Sequence, residues 1–580
     1  MMMRVSTILL GVCLLGCKDK SSTGSVEDTR PQTITFETGT VEDTSTPADT
    51  SDTGVIDGLA QIALFPDDLV VHTGASFPLR ALGTWTDGSI AALSPALQSS
   101  DPLVATVDAD GLVTATGVGE VTLSASQDGH EASVSLTVSD DGLVSVTIVS
   151  AEDGSPLSNV SVAVADGAPL TTDKDGTISI PVDDGGGPID VSAFVLQTYV
   201  PATVWGTISR KVTIPLHTRA AFWADNAQLE GDVDFSALDG GSGGDMTIGL
   251  VVPSFQHGPL MIEPKDFMAE DRTVSMFGLK TDVPANLTLK EHAEGYQAST
   301  PADSGSGAAW VIAGTFPIGE ITGALDAESS DTEGALTLLS DNIEEMRWGW
   351  SSISGLSAGE TAATNLHPSV SFSDSVGVTT GDLPAGFAGT ERPLVMVGSV
   401  LPEGSIVVTG MRLGVGALSV NATPADAVDG AQDRVAMAIA QVGGIGSGGA
   451  ITASWAPVSG GEAELLSYQD TSTLHDFDAV THAFGLGTDP RSSYVQLLLR
   501  SQNGSARIVY LDGGEVAGVL SDPGLRVGYA NLSWRILSLE TTANTFEGLV
   551  RDGDLVAKSL ATRAWTSTMS NVQTEFREEE

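Results

Sequence analysis

From residue 59 onward, short runs of alternating apolar and polar residues recur, each cut off by Gly, Asp, Asn or Pro. Val134, Leu136 and Val138 share one side of such a run, with Ser135 and Thr137 between them. Val144, Val146 and Ile148 repeat the pattern, as do Val160, Val162 and Val164, and then Ile178 and Ile180. Side chains of a strand alternate between its two faces, so a period of two marks a half-buried strand. Further alternating segments lie at Met246 to Val252, Ile406 to Val415, Val435 to Val442, Val495 to Leu499, Ala506 to Leu511 and Trp534 to Leu539. Helical periodicity is scarce, and Ser340 to Arg347 is its best short candidate. Asp87-Gly88, Asp110-Gly111 and Asp175-Gly176 read as hairpin turns, because a type I′ turn needs positive φ at both central residues. The chain is expected to be all-β: tandem β-sandwich domains followed by a larger β-rich C-terminal region.

The two cysteines, Cys13 and Cys17, both precede this β-rich part. No disulfide can therefore brace it, and its stability must come from its cores, which a chain of 580 residues can supply. Cysteine metal sites and cysteine nucleophiles are excluded there as well.

The amino terminus has the layout of an export signal. Arg4 is followed by the apolar run Val5 to Leu15, broken by Ser6, Thr7, Gly11 and Cys13. That run is too short to span a bilayer as a helix. It ends in Leu14-Leu15-Gly16-Cys17 and gives way to Lys18-Asp19-Lys20, which resembles the lipobox of bacterial lipoproteins. The resemblance implies cleavage before Cys17, three acyl chains on that residue, and an outer-membrane location, since Lys18 rather than Asp follows the cysteine. One acyl chain binds membranes only marginally, whereas several hold a protein firmly.

Residues 17–58 form an acidic tether. Asp43 to Gly54 is almost entirely Asp, Thr, Ser, Pro, Ala and Gly, and such a segment has too little apolar surface to offset the entropy of ordering. A flexible chain of this length spans roughly 35 Å on average. The whole sequence carries 75 acidic against 26 basic residues, a formal charge of −49. Such a surface repels phosphate backbones and anionic headgroups, which argues against nucleic acid as a partner.

Residues 59–139 resemble a bacterial immunoglobulin-like domain of group 2. The matching pieces are Gly74, Leu82 to Ser89, Ser99-Ser100-Asp101-Pro102, Val104 to Asp108, Gly111 to Ala115, Gly117-Val118-Gly119 and the closing Val134 to Val138. The family implies a small Greek-key sandwich without catalytic residues. Residues 140–218 resemble a carboxypeptidase regulatory-like domain through Asp153 to Val162, Thr171 to Gly176, Tyr199-Val200-Pro201 and Val212 to Leu216. That family implies a transthyretin-like sandwich. The remainder resembles no family. The Pro- and Gly-rich stretch Asp382 to Arg392 suggests a division into β-rich domains at 219–385 and 386–580.

Motifs that spell chemistry do so in the wrong context. Gly240 to Gly244 matches G-x-S-x-G, yet strand-like Met246 to Leu250 follows where a nucleophile elbow needs a helix. Gly444 to Gly449 matches G-x-G-x-x-G, but Ala450 to Trp455 continues as strand, leaving no helix N-terminus for a pyrophosphate. Asp173-Lys174-Asp175-Gly176 opens like a calcium loop and lacks the third acid and the bidentate Glu. His475, Asp476, Asp478 and His482 form the only tight His/acid cluster, of a type that ligates Zn²⁺ or Mn²⁺. Six residues between the two histidines break the usual ligand spacing, and an exposed loop is the simpler reading. His257 and His292 stand alone. Trp348 and Trp350 fall on one face of a strand, as in a sugar-stacking platform, though core packing is the commoner use of such a pair.

The expectation is a non-enzymatic, lipid-anchored protein of a bacterial outer membrane. It would have a binding, adhesion or structural role, no cofactor, and a polysaccharide or envelope protein as partner. The rival is a surface hydrolase with its catalytic domain in 219–580. Its mark would be a pocket where nucleophile or metal, base and orienting group converge.

Overall fold

A computed structural model describes residues 58–573 apart from 86–89, 183–184, 220–226, 239–242, 257–270, 277–278, 301–305, 321–339, 358, 388–391, 403–404, 443–449, 476, 479–480, 490, 502–504, 514, 523–531, 542–544, 554 and 556–564. Cys17, the tether up to residue 57, Asp87-Gly88, the serine of Gly240 to Gly244, all of Gly444 to Gly449, His257 and Asp476 lie outside the described residues. The chain is all-β, and its strands build a series of sandwiches.

The first sandwich opposes the sheet Leu59–Phe65, Arg80–Trp85, Ile90–Leu93 to a four-stranded one. The second sheet runs in the order Leu69–His72, His130–Ser139, Gly119–Gln127, Ala96–Ser99. Alternation does what the sequence implies: Val134, Leu136 and Val138 are buried with Ile62, Leu64, Leu69, Val71 and Leu123, while their odd-numbered neighbours face outward. Two turns differ from expectation. At Asp110-Gly111 only the glycine has positive φ, +85°, and the Asp108 carboxylate closes the turn by accepting from the backbone N–H of Asp110 and Leu112. In this sandwich the hairpin with positive φ at both central residues is Asp128-Gly129, +52° and +83°, between Gly119–Gln127 and His130–Ser139. Asp175-Gly176 follows the first pattern, with Asp173 accepting from Asp175 and Thr177.

The second sandwich pairs the sheet Thr177–Pro181, Leu143–Ser150, Lys211–Leu216 with the strands Leu170–Thr171, Ser161–Val164, Ile189–Phe194 and Ala202–Thr207. Val144, Val146, Ile148, Val162, Ile180, Val191, Val204, Val212 and Ile214 fill it. Its second sheet does not end at Ala202–Thr207. That strand pairs in parallel with Ala506–Leu511, Ala202 opposite Ile508 and Val204 opposite Tyr510. From there one sixteen-stranded sheet continues through Tyr494–Ser501, Leu532–Thr541, Trp565–Gln573, Ala450–Pro457 and Asp433–Val442 to Leu394–Val400 and beyond. The sandwich is thus completed by residues some three hundred positions later in the chain.

The third sandwich opposes Gly295–Thr300, Ala227–Asp232, Thr361–Ala363 to the sheet Leu287–Leu289, Asp245–Pro253, Ser306–Pro317, Arg347–Ser354, Val370–Ser371. Ser306–Pro317 is buried on both faces: Ala309, Val311 and Ala313 face the small sheet, while Ala308, Trp310, Ile312 and Phe316 pack with Ile406, Val408 and Met411. Double burial explains the unbroken apolar run, as a two-sided strand has no face on which polar residues can alternate. Asp374–Thr379 precedes the stretch where a boundary was expected, and pairs with Ala417–Ala422 and Glu462–Glu464 beyond it. At Ser340 to Arg347 the expected helix is met in part: Ser340 and Asp341 are helical, a 3₁₀ turn follows at Ile343–Glu345, and Arg347 already begins a strand.

Candidate functional site

Charged groups from three parts of the chain converge on the short helix Phe546–Asp552. Thr545 caps its start by accepting from the N–H of Gly548, and Gly553 ends it in the left-handed region at φ +74°. Phe546, Leu549 and Val550 sink into the main core, which holds the helix against strand Lys211–Leu216. The opposite side of the helix carries the polar contacts.

Glu547 is directed at the loop after Ala202–Thr207. The Ile208 N–H donates to its Oε1 at 3.0 Å, and the Ser209 N–H to its Oε2 at 3.2 Å. The Thr207 hydroxyl also donates to Oε2. Part of the residue's surface stays accessible, but its carboxyl end is enclosed, and that burial pushes its pKa up to about 7 against the opposing effect of the three donors. The charge of Asp512 pushes the same way. A carboxylate titrating near neutrality in a cleft is a mark of a catalytic base. Here both oxygens are taken by donors from one loop, so the group orders that loop and is not aimed at a substrate.

Arg551 extends the junction to the first sandwich. Its Nη1 lies 2.8 Å from Asp67, in the turn between Leu59–Phe65 and Leu69–His72, while Nε and Nη2 grip Asp552 at 2.6 and 2.7 Å. Its backbone carbonyl accepts from Thr213 Oγ1 at 2.7 Å. The first two sandwiches also touch directly, since the Arg210 N–H donates to the Val70 carbonyl at 2.7 Å and Ser209 forms a bridge to Val71. A few residues away, Arg507 is wholly buried and donates through Nε and Nη2 to Thr203 Oγ1 at 3.1 and 2.8 Å. Burial raises the pKa of Asp190, and the nearby guanidinium of Arg507 counteracts the rise. Trp205 closes the seam on the other side, its ring edge-on to Phe484 at 5.4 Å and its indole N–H donating to the Val519 carbonyl at 3.3 Å. A Cβ on Gly518 would stand 2.3 Å from the Trp205 ring, so only glycine fits there. The arrangement is a mechanical and electrostatic joint.

Those of the residues singled out from the sequence that are described lie elsewhere. Trp348 is 1% exposed, and its indole N–H donates to the Val408 carbonyl at 2.9 Å. With its ring in the core it presents no open face to a sugar. Trp350, on the same strand, is half-buried and donates to the Ala427 carbonyl at 3.0 Å. His475 ends strand Thr473–His475, and Asp476 is outside the described residues. Asp478 is exposed and accepts from the Thr481 N–H at 2.9 Å. His482 has φ +58°, and its own N–H donates to the Asp478 carbonyl. These two contacts make Asp478 to His482 a tight turn ahead of strand Ala483–Gly487. Among the described residues, no three His, Cys, Asp or Glu side chains are grouped to hold a metal ion. No helix among them is long and apolar enough to cross a membrane. The Glu547 joint was not legible, because nothing local marks Glu547 as different from any acidic residue in the first turn of a helix.

Comparison with known proteins adds a partial match. No curated protein matches this chain. Among solved structures, the tetra-tandem repeat in the extending region of a large adhesion protein is 12% identical, covering 82% of this chain and 96% of that one, with a TM-score of 0.11. Domains 4–9 of the surface layer protein SbsC are 11% identical, covering 83% and 80%, with a TM-score of 0.15. The N-terminal four Ig domains of Dscam1 isoform 6.9 are 10% identical, covering 70% and 100%, with a TM-score of 0.12. At such scores nothing about binding is carried over from them. Residues 87–129, in the first sandwich, match the intimin immunoglobulin-like domain, so this part of the chain is Ig-like.

Proposed function

We propose that this chain is a lipid-anchored protein of a bacterial cell surface that serves adhesion or envelope structure, without catalysis of its own. The observation that carries the reading is the intimin-type Ig-like match at residues 87–129, set within a disulfide-free series of sandwiches. The signal-like start and Cys17 supply the anchor, and residues 18–58 supply the spacer that lifts the folded part from the membrane. With a formal charge of −49 the displayed surface stays soluble and rejects polyanions, so its partner is an envelope polysaccharide or another envelope protein. The second sandwich would act as a transthyretin-like accessory module, and the C-terminal region as the part presented to the partner.

Two measurements test this. Replacing Cys17→Ser should move the protein from the membrane to the soluble fraction, and unchanged fractionation would end the anchor model. The full chain should then retain envelope glycans or proteins on an array. Turnover of a glycan or peptide substrate by the purified chain would favour the hydrolase instead.

A further inference from the structure

Thr207 stands where a regular ladder breaks. Strand Ile189–Phe194 faces Ala202–Thr207 with Val191 opposite Val204 and Ile189 opposite Thr207, so the single residue Asp190 confronts both Trp205 and Gly206. Such a bulge leaves a residue of the longer strand without a ladder partner and re-aims its neighbours. Gly206 takes the left-handed conformation at φ +72°, and its N–H donates to the Asp190 carboxylate at 3.0 Å in place of a ladder carbonyl. A Cβ on Gly206 would meet nothing beyond its chain neighbours within 4 Å, so there is open space beside the Gly206–Thr207 peptide bond.

The hydroxyl that follows this bond is placed as a nucleophile. Thr207 Oγ1 donates to Glu547 Oε2 and accepts from the Ser209 N–H at 3.1 Å. The first contact offers a base for the hydroxyl proton, and the second favours the oxygen as it loses that proton. Burial brings the Glu547 pKa to about 7, the range in which a general base is most effective at neutral pH. Glu547 is aimed at no separate substrate, yet the peptide bond beside it belongs to the chain. A threonine hydroxyl reaches the carbonyl carbon before it through a five-membered ring, so no translational freedom is lost in bringing the two together. Thr207 is buried, while Gly206 and Ile208 on either side are partly exposed, which gives water a path to the bond.

We propose that Thr207 and Glu547 cleave the Gly206–Thr207 peptide bond of their own chain. Thr207 Oγ1 attacks the Gly206 carbonyl carbon as Glu547 takes up the hydroxyl proton. The C–N bond then breaks and Glu547 returns that proton to the Thr207 nitrogen, leaving Gly206 esterified to Thr207 Oγ1 and a free α-amino group. Water hydrolyses the ester to a Gly206 carboxylate and restores the Thr207 hydroxyl. Only water is consumed, and the event occurs once per chain, so it goes beyond the surface role proposed above and does not depend on it. The two pieces would stay together, because Ala202–Thr207 remains paired with Ala506–Leu511 and Asp67 with Arg551.

The test uses the purified full chain carrying Cys17→Ser, incubated at neutral pH with and without hydroxylamine, which traps an ester as a hydroxamate, and then separated under denaturing conditions. Mass spectrometry should find one fragment ending at Gly206 and one beginning Thr207-Ile208-Ser209. Hydroxylamine should hasten their appearance and leave a hydroxamate on Gly206. Glu547→Gln should slow the cut roughly a hundredfold. Thr207→Val should abolish it, and Thr207→Ser should restore it. A wild-type chain that stays whole in both conditions would overturn the proposal, whatever the variants do. A cut at this bond that persists at the wild-type rate in Thr207→Val would overturn it as well.

Discussion

Arg551 Nη1 and the Asp67 carboxylate meet at 2.8 Å, joining a helix near the C-terminal end of the described chain to the first turn of the first sandwich. The arginine side chain is 9% exposed and the aspartate 61%. Desolvation therefore falls almost wholly on one partner, and the contribution of the pair is expected to be uneven.

Asp67→Ala should cost less than about 1 kcal/mol, as exposed ion-pair partners do, and the cost should shrink in high salt. Arg551→Ala should cost more, since it also empties the packed space of the side chain and leaves Asp552 unpaired. Urea unfolding of both variants at low and high salt checks the asymmetry. Hydrogen exchange should quicken at residues 67–72 in each.

Acidity should act through Glu547. Its folded pKa of about 7 lies above the ordinary 4.5, so folding takes up a proton. The associated stability is fully present below about pH 4.5 and is lost as the pH rises through about 7. Amide exchange at Ile208 and Ser209 should accordingly speed up between pH 5 and pH 8, beyond the intrinsic rise. Glu547→Gln carries a cost of its own, because one amide face meets an N–H donor, but it should flatten that dependence. A variant with the wild-type slope would refute the assignment.

The two tryptophans should part company. Trp348→Ala empties a core site and breaks the bond to Val408, with an expected loss of about 3–5 kcal/mol. Trp350→Ala should cost less, its ring being half-buried. Denaturant midpoints measure both. A Trp348→Ala protein of unchanged stability that had lost glycan retention would restore the stacking role.

Gly518→Ala should prise open the seam between the second sandwich and the C-terminal strands, since the new methyl would meet the Trp205 ring at 2.3 Å. Overpacking of this kind costs about 1–3 kcal/mol. The change in Trp205 fluorescence reports it, and Trp205→Leu in the same chain should relieve part of the loss.

Strand positions were readable by alternation where one face met water, as at Val134 to Val138 and Val144 to Ile148. Met246 to Val252, Val495 to Leu499 and Ala506 to Leu511 also fall within observed strands but are buried on both faces, so there the signal was a short, nearly continuous apolar run. Turn chemistry was read less well. Asp110-Gly111 and Asp128-Gly129 are the same dipeptide, yet a carboxylate at position 108 recasts the first, and only the second takes positive φ at both residues. Partnership was not readable at all. Nothing near Ala202 marks it as the neighbour of Ile508, because a parallel pairing across such a separation is set by tertiary packing and leaves no local signal. Glu547 was missed for the same reason, its donors being residues 207–209.

The reliance of strand Ala202–Thr207 on Ala506–Leu511 bears on how such a chain is made. Synthesis delivers the N-terminal modules first, and Ala202–Thr207 then has an uncovered edge until nearly the whole polypeptide has followed. Open strand edges recruit other chains, and long-range parallel contacts form slowly. A chain of this design has most need of a holding chaperone in the interval before its last strands arrive.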